Sequence, residues 1–226
     1  MEIVKINSRK MYDTYKSYIE KFRDNLYLPS FPDPNEREPF EYITSRIQLG
    51  DSWWPRTDML LYLDGETVAS GCITDYYPEC KSIEAIYLVT DEKYRGQGLA
   101  KGLLQETFNL YPEALDLYLE ADNPSLVPPG SSAIDPELRI RIYQKLGFEL
   151  LDFNYVQPPL AEGLDFTRNL MLMCMSRKPL TKERLVAFLD SFYRGLDCFN
   201  SPEYDKMIES IDSAHLFTPK TETQKI

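Results

Sequence analysis

Residues 94–104 read YRGQGLAKGLL, and the reading of this stretch decides the fold. It joins the apolar run SIEAIYLVT (82–90) to a helical pattern carrying Leu99, Leu103, Leu104 and Phe108 on one face. A glycine turn that opens a helix aims backbone N–H groups and the positive helix end at one point, where a phosphate can sit. Gly96 and Gly98 suit such a turn because glycine takes left-handed backbone at no steric cost.

Several phosphate ligands can use that geometry. A nucleoside triphosphate loop would need GxxxxGK followed by Ser or Thr, yet Gly102 is preceded by Lys101 and followed by Leu103. For a dinucleotide, Gly96, Gly98 and Gly102 imitate the glycine fingerprint and Glu120 ends a strand where a ribose contact would fall. Spacing argues against it. In a dinucleotide turn the strand runs almost directly into the first glycine, whereas here Asp91-Glu92-Lys93-Tyr94-Arg95 intervenes.

Outward from the turn, strand and helix alternate. Met11, Tyr15, Tyr18, Ile19, Phe22 and Leu26 predict an amphipathic helix over 8–26, and Phe40, Ile43 and Ile47 a second over 36–49. Strands are expected at 58–63, 66–75 and 82–90, the first two joined by an Asp64-Gly65 hairpin turn, with a fourth at 114–121. Asp135-Pro136 begins a helix that Gly147 ends, with Leu138, Ile142 and Leu146 as its buried stripe, and FELLDF and LMLMCM close the sheet. Beyond residue 177, Thr181 caps a helix bearing Leu185, Phe188, Leu189 and Phe192, and Ser201-Pro202 opens another. The expected fold is α/β: a mixed central sheet of six to seven strands covered by helices, with a C-terminal helical extension. Its expected divisions are a domain over 1–176, a helical pair over 177–213 and a flexible polar tail over 214–226.

Composition narrows the chemistry. With 36 acidic and 25 basic residues the net charge is −11, which repels a nucleic-acid backbone and excludes it as a partner. The one histidine, His215, stands in the polar tail, so a histidine base or histidine metal ligand is not expected. The four cysteines form no CxxC pair, and no metal site or disulfide framework is read from them. No apolar run approaches the length of a membrane helix, and a cytoplasmic protein without membrane contact is expected.

YLVTDEKYRGQGLAKGLL resembles the acyl-CoA binding segment of the GNAT superfamily of N-acetyltransferases, in which a strand and a polar turn precede (Arg or Gln)-x-x-Gly-x-(Gly or Ala). Arg95, Gly98 and Ala100 occupy those positions, and in RIYQKLGFELLDF, Tyr143, Gly147 and Phe148 match the second signature, Tyr-x-x-x-Gly-Phe. The resemblance covers roughly residues 1–176. It implies acetyl-CoA as co-substrate, with Arg95, Gly96, Gln97, Gly98, Leu99, Ala100 and Lys101 wrapping the pyrophosphate. Leu88, Val89 and Thr90 would pair through their main chain with the pantetheine arm, Asn123 would meet its amides, and Tyr143 would protonate the departing thiolate. The loop DNPSLVPPGSSAID is longer than the family's usual connection.

Acetyl transfer to an amine needs a neutral nucleophile, and an alkyl amine of pKa about 10 is only about one part in a thousand neutral at pH 7. With histidine excluded, the base is a carboxylate or a water chain. Glu84 is the first candidate, sharing a strand face with Ile86, Leu88 and Thr90 by the period of two, and Glu120 is the second. Trp53, Trp54, TDYYPE and YVQPPLAEGLDF are the segments where the family builds an acceptor pocket, and a small-metabolite amine is the expected acceptor. A protein amine, a longer acyl donor, and a silent acyl-CoA sensor or scaffold are the alternatives, with the helices at 181–212 either capping the sheet or forming a partner or homodimer surface.

Overall fold

The computed structural model describes residues 1–32, 37–128 and 134–218. Its elements are β1 (Glu2–Ile6), α1 (Arg9–Phe22), a π-helical turn (Arg23–Tyr27), the one-turn α2 (Leu28–Ser30), α3 (Phe40–Leu49), β2 (Arg56–Asp64), β3 (Thr67–Tyr77), β4 (Ser82–Thr90) and α4 (Leu99–Leu110). They continue as β5 (Asp116–Asp122), α5 (Pro136–Leu146), β6 (Glu149–Leu150), β7 (Leu170–Ser176), α6 (Lys182–Gly195) and α7 (Pro202–Glu209). The seven strands form one mixed sheet in the order β1-β2-β3-β4-β5-β7-β6, the α/β arrangement that the alternating pattern implies. The chain divides into two compact units: Met1–Leu117 with Pro159–Asp165, and Tyr118–Pro158 with Phe166–Ile226.

In the first unit, β1 to β4 form an antiparallel meander, and β1, a five-residue strand absent from the sequence expectation, pairs Glu2–Ile6 with Leu63–Met59 of β2. Ser8 caps α1 by accepting from the Met11 N–H, as its position before the apolar repeat implies. The helix stops earlier than expected, at Phe22, where the backbone widens into the π-helical turn. The expected second helix begins at Phe40, and the expected start at residue 36 lies outside the described residues. Ile6, Ile19, Phe22, Ile43, Ile47, Met59, Leu61 and Ile73 are buried together between these helices and the sheet. Each such aliphatic side chain contributes about 1.5–3 kcal/mol of burial. Gly71 permits the close approach of α1, because a methyl group there would overlap the Phe22 ring.

In the second unit, Asp135 accepts from the Leu138 N–H and Gly147 closes α5 at φ 107°, so both expected ends are present. The expected buried stripe is not. Leu138 and Ile142 are exposed and only Pro136 of that helix is buried: regular apolar spacing marks a face but does not guarantee that anything covers it. Thr181 and Ser201 cap α6 and α7 as expected, and Leu185, Phe188, Leu189 and Phe192 are all buried. Phe188 stacks on Tyr118 of β5 at 4.0 Å between ring centroids. Of the expected flexible tail, residues 216–218 are hydrogen-bonded to residues 150–152, and residues 219–226 lie outside the described residues.

Candidate active site

In the first unit, Leu88, Val89 and Thr90 end β4 and lead through a 3-10 turn, Glu92–Tyr94, into the glycine segment. Asp91 caps that turn by accepting from the Lys93 N–H, and Tyr94 donates to Asp64 at 2.9 Å. Gly96 and Gly98 have φ of 78° and 80°, so both positions exclude a relaxed side chain. Gly98 is the N-cap of α4, and no side chain caps that end. The first N–H groups of Leu99, Ala100 and Lys101 therefore point into an opening that no Cβ of Gly96 or Gly98 crowds. A helix start of this kind can receive an anion, and Arg95 and Lys101 flank it in sequence.

One register detail changes the reading of β4. Tyr87 lies opposite Ile73 but Ala85 lies opposite Thr74, so Ile86 is an extra residue and the strict alternation breaks there. Glu84 consequently shares its face with Tyr87 and Val89, not with Leu88 and Thr90 as the period of two predicts. Thr90 turns the other way and meets Ser70, their hydroxyl oxygens 2.8 Å apart.

Glu84 is 3% exposed and accepts from the Tyr77 hydroxyl at 3.2 Å. Across the pair of strands from it lies Asp75, which accepts from Thr57 at 2.5 Å and stands 3.7 Å from Arg46. Arg46 of α3 also holds Glu38 in a two-pronged contact. Burial would lower the Arg46 pKa, yet Asp75 and Glu38 carry it above the ordinary arginine value. Burial pushes Asp75 up to about 6, with Arg46 acting the other way. This buried network is an anchor for α3 more than a station for a substrate.

Of the aromatic segments named from sequence, Trp53, Trp54 and Tyr76 come together around an open cleft of about 470 Å³, with Arg56, Tyr111 and Glu113 also in its lining. Tyr76 stacks on Tyr111 at 4.0 Å and donates to Glu113 at 2.8 Å. The strand register places Tyr76 on the face of β3 opposite to that of Asp75, and therefore of Glu84.

In the second unit, Glu120 lies near the end of β5 and keeps part of its surface open. Tyr155 donates its hydroxyl to one carboxylate oxygen and the Gln157 amide donates to the other at 2.6 Å. Burial raises the carboxyl from its ordinary 4.5 to about 7, against the pull of those two hydrogen bonds. Tyr155 and Gln157 were not singled out as residues by the sequence expectation. Their spacing carried a signal, because residues two apart on an extended segment project to the same side.

Tyr143 sits on α5, partly buried, its ring 6.2 Å from that of Phe148. Asn123 follows β5, and its side-chain oxygen accepts from the Ser125 N–H at 3.0 Å, while its N–H donates to the Asn169 carbonyl at 2.8 Å. Among the described residues no group of three or more His, Cys, Asp or Glu side chains is arranged to hold a metal ion, and no helix is long and apolar enough to cross a membrane.

Comparison with known proteins agrees with this architecture. An acetyltransferase of the GNAT family from Bacteroides thetaiotaomicron superposes with a TM-score of 0.62 at 20% identity, covering 88% of this chain and 99% of the other. The aminoglycoside 6'-N-acetyltransferase from Enterococcus faecium gives a TM-score of 0.51 at 15% identity, covering 80% and 99%. A structure of an aminoglycoside 6'-N-acetyltransferase complexed with coenzyme A also gives 0.51, at 16% identity and the same coverage. No curated protein matches the sequence. The family model described as "Acetyltransferase (GNAT) domain" matches residues 55–150, which take in β2 to β6 and the glycine turn. The chain thus has the GNAT acetyltransferase fold, and its residues 55–150 match that family's domain.

Proposed function

We propose that this protein transfers the acetyl group of acetyl-CoA to an amine of a small metabolite by direct attack within a ternary complex, with residues 1–176 as the catalytic domain. The observation that carries the reading is the uncapped start of α4, with two left-handed glycines ahead of it and open space around both. Gly96 to Lys101 would hold the pyrophosphate through main-chain N–H groups, with Arg95 beside them. Leu88, Val89 and Thr90 would pair with the pantetheine arm, and the Asn123 side-chain amide, whose oxygen already serves the local turn, would offer its N–H₂.

Acetyl-CoA supplies the acetyl group as a thioester. Glu120 is our choice of base over Glu84: its carboxyl is poised at about 7 and the residue is only partly buried, whereas Glu84 is closed in beside Asp75. A base with a pKa near the working pH both holds enough of its ionised form and retains driving force for taking a proton. Glu120 would accept the proton that the amine loses, and the Tyr143 hydroxyl would give a proton to the sulfur that leaves. Keeping the amine neutral at pH 7 offsets a penalty of about 4 kcal/mol.

Calorimetric titration with acetyl-CoA, using NAD as comparison, tests the co-substrate. Micromolar binding of acetyl-CoA alone is expected, and binding of NAD alone or of neither ligand would remove the proposal. A panel of amines, including polyamines and the aminoglycosides acted on by the structural relatives, then tests turnover. Tight acetyl-CoA binding with no turnover across the panel would favour a sensor.

A further inference from the structure

The second unit holds an arrangement that the acetyltransferase reading does not use. Tyr193, on α6, donates its hydroxyl to the Val156 carbonyl at 2.5 Å. Val156 stands between Tyr155 and Gln157, the two residues that grip Glu120. Further contacts hold the same segment. The Asn154 N–H donates to Ser210 Oγ at 3.0 Å, the Asp152 N–H to the Leu216 carbonyl at 2.9 Å, and the Thr218 N–H to the Leu150 carbonyl at 3.0 Å. On its far side, Gln157 exchanges main-chain bonds with Thr167 in both directions, at 2.9 and 3.0 Å.

We propose that the C-terminal extension is part of the catalytic apparatus: Tyr193, with the segment through Thr218, braces residues 150–157 so that Tyr155 and Gln157 act as positioning residues for the Glu120 carboxylate. The proposal rests on Glu120 being the base. It follows from a short segment held at several points: residues 154, 156 and 157 each have a hydrogen-bond partner outside the segment. With all three fixed, the side chains at 155 and 157 have little freedom left, and both carboxylate oxygens are met by donors already in place. Tyr193 is itself fully buried, with Met207 Sδ 3.7 Å from its hydroxyl, so α6 and α7 set its position together.

Charged and titratable groups lie around Glu120 among the described residues. Tyr155 and Gln157 contact it, and the Tyr193 hydroxyl is held above the ordinary tyrosine value by burial, then by Cys198, Glu120 and Glu203, with Arg168 opposing. Two residues further along β5, Asp122 is paired with Arg139 at 3.0 Å.

The test reads Glu120 directly, without turnover. In protein carrying carbon-13 at glutamate carboxyls, the Glu120 resonance is identified by its loss in Glu120→Gln and titrated in the full chain. Its midpoint is expected near 7 in the parent protein. It should rise by roughly one unit in Tyr155→Phe, which removes a donor to the ionised form, and rise in the same direction in Tyr193→Phe. Ser210→Ala, which removes the acceptor of the Asn154 N–H, is the second variant should Tyr193→Phe not fold, and it too should raise the midpoint. An unchanged midpoint in whichever brace variant folds, Tyr193→Phe or Ser210→Ala, would overturn the brace. If the midpoints move while the acid limb of the pH–rate profile with the best amine of the panel stays fixed, the brace stands and Glu120 is not the base.

Discussion

Gly102 lies so close to Tyr62 that a methyl group at position 102 would overlap the phenol oxygen and stand 3.2 and 3.3 Å from two ring carbons. This glycine is needed for the packing of α4 on β2, whereas Gly96 and Gly98 are needed for their left-handed backbone. Gly102→Ala should therefore destabilise the protein by about 1–3 kcal/mol, the usual cost of overfilling a packed site. Tyr62→Leu in the same chain should recover most of that loss, as urea melts of the two variants will show.

Gly98→Ala addresses a different property. At φ 80° an alanine is strained by about 1–2 kcal/mol, although nothing stands within 4 Å of the added methyl. We expect a modest loss of stability and a weakening of acetyl-CoA binding of tenfold or more, roughly, since relief of the strain redirects the N–H groups at the start of α4. Thermal melting and calorimetry on the same sample separate the two effects.

Glu120→Gln should lower kcat by roughly 100- to 10,000-fold while leaving acetyl-CoA affinity unchanged. It should also alter the pH dependence of stability. The folded carboxyl titrates at about 7 and the ordinary value is 4.5, so the folded state binds this proton more tightly. Its stabilising contribution is complete below about pH 4.5 and is lost as the pH rises through 7. Glu120→Gln should thus gain on the parent protein between pH 5 and pH 8, by on the order of 2 kcal/mol, in denaturant melts at the two pH values.

Tyr143→Phe keeps the ring beside Phe148 and removes only the hydroxyl. A fall in kcat of roughly 100-fold with an unaltered KM for acetyl-CoA is expected of a lost proton donor. The loss should be smaller with an acetyl thioester whose thiol has a lower pKa, because that leaving group needs a proton less.

Arg46→Met would leave Glu38 and Asp75 buried without their cation. Breaking a buried pair from one side costs about 3–5 kcal/mol, and the melting midpoint should fall accordingly. Lowering the pH towards 5 should reduce the deficit, because Asp75 takes up a proton near 6 even with Arg46 present.

What could be read in advance was what short stretches decide by themselves. The hairpin between β2 and β3, Asp135 and Gly147 at the two ends of α5, and the caps at Thr181 and Ser201 depend on residues within one or two turns, and all are present. The hairpin turn falls on Gly65-Glu66, one residue later than expected, because Asp64 still pairs with Thr67. The extra residue at Ile86 was not legible, because a bulge exists only relative to the register of a partner strand. Nor was the company of Glu120: Tyr155 and Gln157 lie 35 and 37 positions away along the chain. Leu138 and Ile142 show the opposite failure, a helix face whose apolar spacing is regular and whose side chains are nevertheless exposed.

The contacts from Tyr193, Ser210, Leu216 and Thr218 back to residues 150–156 also set an order of events during synthesis. Domains form as units while the chain emerges from the ribosome, and most of the first unit, residues 1–117, emerges ahead of Glu120 and its partners. The surroundings of Glu120 cannot be completed until residue 218 has left the ribosome. A product broken off within the C-terminal helices would keep the glycine turn yet lack the finished surroundings of Glu120 and, on the function proposed above, would bind its coenzyme without spending it. On that reading, only chains translated through this last contact acquire reactivity.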